Sequence, residues 1–234
     1  MPLNHPSIKK ILGYSLRDFK DKYRLALITK NKGKPLKDVL HFKHKTCSLN
    51  DKQKFINIFG IASGMSYLHR HGIVHTKLNL ENIVETRGYY PKITNYGFLK
   101  FRQNNGNIDQ TRIIDSDDFF TAPEIIEQGC YDSSCDVFSF GMILCSLFSK
   151  LEIRNYITFR IQLERSPESI FDSTKVPECY IKLIKACLSL NSGERPAFDE
   201  IVHELKNNKK FIEMLSIDEM ELKEIFDYIK LIED

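Results

Sequence analysis

The chain has 234 residues, 42% hydrophobic and 28% charged, which suffices for one sizeable core and for one or two domains. A formal charge of +3 is too small to point by itself to nucleic acid or an anionic membrane. The six cysteines (Cys47, Cys130, Cys135, Cys145, Cys179, Cys187) stand singly, without zinc-site spacing, and no apolar run reaches the ~20 residues of a membrane span. With no signal-like start, the expectation is a soluble, intracellular, cytoplasmic protein with reduced thiols.

After a turn at Leu3-Asn4-His5-Pro6, β-rich runs over 8–15 and 23–29 predict one hairpin. The stretch 30–45 carries Lys30, Lys32, Lys34, Lys37, Lys43 and Lys45 against Asp38 alone, and Pro35 is placed to open a short helix through Leu36, Val39 and Leu40. A solvated linker and helix face explains this charge run, and a site for anionic lipid or nucleic acid is the minor alternative. Phe55, Ile58, Ala62, Met65 and Leu68 repeat at helical spacing and predict an amphipathic helix over 50–71, ended by Gly72. Short strand-like runs follow at 73–75, 83–85 and 92–94. The polar stretch 103–118 has no useful period and reads as a surface loop in which Thr111 and Ser116 are candidate phosphorylation sites. The run 136–149 is apolar all round and predicts a buried central helix. Further helices are expected over 153–164, 178–190 and 197–207. Ser216 and Glu219 have capping-box spacing ahead of a terminal helix whose stripe is Leu222, Ile225, Phe226, Ile229 and Ile232. That stripe should dock on its own domain, with a partner site as the alternative.

Several motifs stand in one order. His75-Thr76-Lys77-Leu78-Asn79-Leu80-Glu81-Asn82 is followed by Asn95-Tyr96-Gly97, then Ala122-Pro123-Glu124, Asp136-Val137-Phe138-Ser139-Phe140-Gly141 and Glu194-Arg195-Pro196. In that order and spacing they resemble the eukaryotic-type protein kinases, closest to the tyrosine-kinase-like Ser/Thr group, over about residues 1–207. The resemblance implies an α+β, mainly α fold: a kinase C-terminal lobe with only a hairpin remnant of the N-terminal lobe. Residues 1–30 would be the last small-lobe strands and hinge, 31–207 the helical lobe, and 208–234 an amphipathic helical tail. It also implies structural roles for Asp136, which would hold the catalytic-loop backbone, and for a Glu124–Arg195 pair.

The chemistry departs from the family pattern. Kinase catalysis needs a carboxylate at the substrate hydroxyl, Mg²⁺ across the phosphates and a Lys on those phosphates. The catalytic Asp position is Lys77, a cation that cannot accept a proton, and Asn79 replaces the loop Lys. Thr76 replaces the Arg that would receive a phosphate. The metal positions are Asn82, which is kept, and Asn95, a neutral amide where a hard cation prefers carboxylate. The sequence begins at a motif similar to the end of the regulatory helix, so the Gly-rich loop, phosphate-binding Lys and partner Glu have no counterpart. His75 and Tyr96 are expected to pack in the core, Lys77 and Asn79 to be solvated, and Thr29 and Lys30 to line the adenine edge.

Loss of a general base alone costs ~10² to 10⁴ in rate. The expectation is therefore a noncatalytic, pseudokinase-like signalling or scaffold module that requires no cofactor, with ATP and Mg²⁺ as the alternative. Its partner would be another protein or a second copy, met through the exposed small-lobe face or the terminal helix, with no strong nucleic-acid signal and no membrane span. The competing expectation is a fragment of an ATP-dependent Ser/Thr protein kinase.

Overall fold

The computed structural model describes residues 3–17, 20–30, 33–40, 49–86, 88–96, 119–129, 131–148, 171, 176–213 and 215–233, apart from the side chains of 24–27 and 128. Strands β1 (Ile11–Arg17) and β2 (Tyr23–Thr29) form an antiparallel pair, with Ile11 opposite Thr29 and Arg17 opposite Tyr23. The first strand begins later than the apolar run suggests. Ile8 is claimed by the lobe instead: it is buried and makes a parallel bridge to Ile93. Leu12, Tyr14 and Leu16 alternate along β1 and remain 60%, 70% and 64% exposed, so one face of this hairpin meets solvent.

A second sheet is built from β3 (Lys34–Pro35), β4 (Ile83–Glu85) and β5 (Pro91–Ile93), all antiparallel in the order β3-β4-β5. Pro35 pairs with Val84, and α1 (Leu36–Leu40) starts only at Leu36, so the proline closes a strand where a helix start was expected. The run 73–75 forms no strand. The His75 backbone N–H is taken by the Asp136 carboxylate rather than by a neighbouring chain.

Helix α2 (Asp51–Arg70) is framed by a capping box between Asn50 and Gln53 and stops at His71 and Gly72, whose φ of 67° suits a glycine. Its periodicity predicts one apolar face, yet every residue from Phe55 to Ser66 is buried. The cause is that neighbours surround it: β5, α4 (Ser133–Phe148), α6 (Phe198–Asn207) and α8 (Glu219–Glu233) all pack on it. Between them lie α3 (Pro123–Gln128), α5 (Glu178–Cys187) and the single turn α7 (Lys210–Glu213). The central helix α4 starts three residues ahead of the predicted 136 because Asp132 accepts the Ser134 N–H at 2.8 Å. It is buried from Cys135 to Cys145, and Cys135, Cys145 and Cys187 are free thiols inside the core. The predicted loop 103–118, with Thr111 and Ser116, and the helix predicted over 153–164 lie outside the described residues.

The terminal helix docks on its own domain, with two corrections. Asp218, not Ser216, caps it by accepting the Glu221 N–H at 2.8 Å, because the helix begins at Glu219. Phe226 is 55% exposed, and Tyr228 takes its place inside, stacked on Tyr90 at 4.8 Å and hydrogen-bonded to Ser7 Oγ at 3.1 Å. Among the described residues, no helix is long and apolar enough to cross a membrane.

Candidate functional site

The site is organised by one carboxylate. Asp136, in the first turn of α4 and fully buried, accepts the backbone N–H groups of His75 and Thr76, each at 2.7 Å, and faces His69 Nε2 at 2.9 Å. These bonds hold a stretch that is itself neither helix nor strand, and they hold Thr76 at a φ of 65°, in the left-handed region. His75 is 1% exposed, with Nε2 at 2.9 Å from the Thr94 carbonyl. Burial pulls its pKa down, so the imidazole is neutral at pH 7 and packs as a core group.

Beyond His75 the loop turns on two asparagines. Asn79 is only 7% exposed; its Oδ1 accepts the backbone N–H groups of Glu81 and Asn82 at 3.1 and 3.0 Å. The expectation that it is solvated is therefore wrong, because a short amide can cap a turn from which a long Lys side chain would escape. Lys77 is exposed. Its carbonyl accepts Asn82 Nδ2 at 2.7 Å, which turns Asn82 Oδ1 the other way, toward Asn95 Nδ2 at 2.7 Å. The two amides are thus paired in one orientation. Asn95 itself has a φ of 60° and directly precedes Tyr96, which is 7% exposed and donates its hydroxyl to the Lys9 carbonyl at 2.8 Å.

A cavity of about 270 Å³ opens between the hairpin and this loop, lined by Lys9, Ile11, Thr29, Thr94, Asn95 and Tyr96 among others. Thr29 thus borders it, while Lys30 is exposed and does not appear in its lining. Lys9 and Ile11 were missed from sequence. They sit just before and at the start of β1, and nothing in their spacing sets them apart from an ordinary strand. The Lys37–Glu81 ion pair at 2.6 Å was missed as well, being 44 positions apart in the chain. Glu81 is held below the usual carboxylate range, foremost by that hydrogen bond and to a lesser degree by the charge of Lys77.

Below the site, Arg195 grips Glu124 through both terminal guanidinium nitrogens, at 2.5 and 2.9 Å, and also donates to the Ser189 and Ser134 carbonyls. It ties α3 to the start of α4. The sequence model of the protein tyrosine and serine/threonine kinase family matches residues 1–205, which contain the loop, the buried Asp136 and this clamp. The chain belongs to that family. Among curated kinase relatives, a putative serine/threonine-protein kinase/receptor of Acanthamoeba polyphaga mimivirus is 30% identical over 210 residues, 86% of this chain and 12% of that protein. A probable serine/threonine-protein kinase of Arabidopsis thaliana is 28% identical over 147 residues, 63% of this chain and 37% of its own length. One of Dictyostelium discoideum is 28% identical over 216 residues, 88% and 13% respectively. The chain spans between an eighth and about two fifths of these relatives.

The kinase family implies a magnesium ion at Asn82 and Asn95, and the donor set does not fit it. Mg²⁺ demands near-octahedral oxygen ligands and usually a carboxylate. Here the Asn82 oxygen already accepts an amide N–H, and neither side chain carries charge.

Proposed function

We propose that this kinase-family domain is a noncatalytic, pseudokinase-like module that works by binding other proteins, as a scaffold or signalling component. The single observation that carries this reading is the exchange of charge in the catalytic loop: a cation, Lys77, where the family places its proton acceptor, beside the mutually bonded amides of Asn82 and Asn95. An ammonium cannot take the proton of an attacking hydroxyl at neutral pH. The retained parts support shape instead. Asp136 and the Glu124–Arg195 clamp fix the loop and α3, and neither touches a reacting atom. The exposed Leu12, Tyr14 and Leu16 face of the hairpin is the surface on which a protein partner or a second copy would dock. No cofactor is needed for that role.

The second reading is ATP-dependent transfer of phosphate to protein Ser or Thr hydroxyls. It is favoured by the kinase names of the relatives and by Asn82, which stands at the second metal position. A phosphotransfer assay with labelled ATP and Mg²⁺, on the chain itself and on a mixed protein substrate, separates the two. The noncatalytic reading expects incorporation at the level of a protein-free blank. Transfer above that level, abolished by Asn82→Ala, would reverse it.

A further inference from the structure

Among the described residues, most of the exposed large apolar side chains gather on two elements, the hairpin and α8. On β1, Leu12, Tyr14 and Leu16 form one row at strand spacing. On α8, Met220, Glu224, Asp227 and Leu231 follow at four, three and four positions, which makes a second row outside the face that buries Ile225, Tyr228 and Ile229. All four are exposed, Met220 by 76% and Leu231 by 53%. The strand row is about 13 Å long and the helix row about 16 Å, so the two can lie along one another. Their surroundings carry opposite charge. Residues 9–30 hold seven Lys and Arg against two Asp, while residues 216–234 hold seven Asp and Glu against two Lys. Part of the tail's charge is neutralised within the fold, since Glu221 and Glu224 face Lys52 and Glu233 faces Lys206. Glu219 and Asp227 on α8, and Lys10 and Lys30 at the open end of the hairpin, are exposed and make no ion pair among the described residues. The tail also lies beyond residues 1–205, so this row belongs to the chain and not to the family pattern.

We propose that the partner of the hairpin face is the tail helix of a second copy, with Leu12, Tyr14 and Leu16 of one chain packed on the row from Met220 to Leu231 of the next. Pairing hairpin with hairpin, or tail with tail, sets like charges against each other; hairpin on tail sets basic against acidic. Both rows are exposed in one and the same chain, so the tail row is not covered by its own hairpin. The inner side of α8 is held by Tyr228 on Tyr90 and Ser7, which leaves the outer row for the second copy. The contact is heterologous: every bound pair still shows one hairpin and one tail, so assembly continues past a dimer unless the rotation closes a ring. The rows are short, which places the contact among small, transient interfaces that form at micromolar rather than nanomolar concentration. The inference deepens the binding role proposed above by naming the partner, and rests on it only for the hairpin as a docking face.

The test is sedimentation velocity with light scattering on the full chain, from about 5 to 500 μM and in about 0.05 and 0.5 M NaCl. The average mass should rise with concentration at low salt and fall back toward one chain at high salt. Tyr14→Asp and Leu231→Lys should each weaken association roughly tenfold or more, since each puts a like charge into one of the two rows. Both positions are exposed, and unchanged melting temperatures show that the variants remain folded. The deciding arm mixes the two variants in equal amounts. One supplies an intact tail and the other an intact hairpin, so the mixture should recover a mass of two chains and stop there. A single-chain mass at every concentration overturns the proposal and leaves the hairpin face to a different protein. Assembly that ignores salt overturns it as well. So does an effect of Tyr14→Asp without one of Leu231→Lys, the mark of hairpin on hairpin, or a mixture that stays monomeric. These outcomes do not touch the noncatalytic reading, which the phosphotransfer assay decides without reference to assembly.

Discussion

Glu85 on β4 is a carboxyl that the fold hides. It is 6% exposed, and Asn57 Nδ2 donates to it at 2.7 Å, while Asn57 Oδ1, also buried, accepts no hydrogen bond among the described residues. Burial pushes Glu85 up to about 7 from 4.5, and the Asn57 hydrogen bond only partly opposes this. The folded protein therefore keeps a proton that the unfolded chain releases, so stability falls as pH rises from about 4.5 to about 7 and then levels off. Glu85→Gln keeps the shape and can donate to Asn57 Oδ1. It should stabilise the protein by about 2 kcal/mol at pH 8, allowing for screening, and flatten that slope. Urea unfolding at pH 5 and pH 8 checks this; equal slopes for both proteins would refute it. At this scale the sequence was readable where a motif names a role and silent where a contact does. The positions of His75, Asn82, Asn95 and Asp136 follow from local order along the chain. The Glu85–Asn57 pair and the lining role of Lys9 depend on elements that meet only after folding.

Between elements, two contacts decide how the lobe holds together. Arg195 has a fully buried side chain, and its fork on Glu124 joins α3 to the turn before α6. Removing one partner strands the other, so Glu124→Ala should cost about 3 to 5 kcal/mol. Arg195→Lys should cost nearly as much, because an ammonium cannot make two parallel bonds. Thermal unfolding with near-normal melting of Arg195→Lys would contradict this. The second contact is the seat of α8. A Cβ on Gly60 would lie 2.3 Å from the Tyr228 hydroxyl and 2.6 Å from Pro91 Cγ. Gly60→Ala should therefore destabilise by about 1 to 3 kcal/mol and lower hydrogen-exchange protection in α8 more than in α4. Helix existence was legible from periodicity, but which residues a helix buries was not. Tyr228 is polar at its tip and was passed over for Phe226, yet its hydroxyl finds Ser7 and its ring finds Tyr90, so it goes inside. The ends of α4 and α8 moved for a similar reason: Asp132 and Asp218 each offer a capping oxygen that the hydrophobic pattern does not register.

Over the whole molecule, stability and charge are unevenly spread. The first forty residues carry ten Lys and Arg against three Asp, so the rest of the chain is net acidic despite the overall +3. Binding through the hairpin face should therefore favour acidic partners and weaken between about 0.05 and 0.3 M salt as screening shortens. A partner whose affinity is unchanged over that range does not use this face. Among the described residues the strands of the two-stranded sheet pack mainly on each other, whereas α2 is enclosed by four elements. Amide exchange should be fastest in β1 and β2 and slowest in α2 and α4. The mainly helical architecture could be anticipated because α4 announces itself by continuous apolarity. The small sheet could not be drawn in full, since β3 is two residues long and its proline reads as a helix opener.

The thiols sealed along α4 and α5 give the molecule a chemical clock. Cys135, Cys145 and Cys187 are all held far above the ordinary thiol range by burial, so in the closed fold they are neither ionised nor reachable. An alkylating reagent can modify them only when the centre of the lobe comes apart. The rate at which these three sulfurs gain mass therefore reads the opening of the core directly, in dilute buffer and without denaturant.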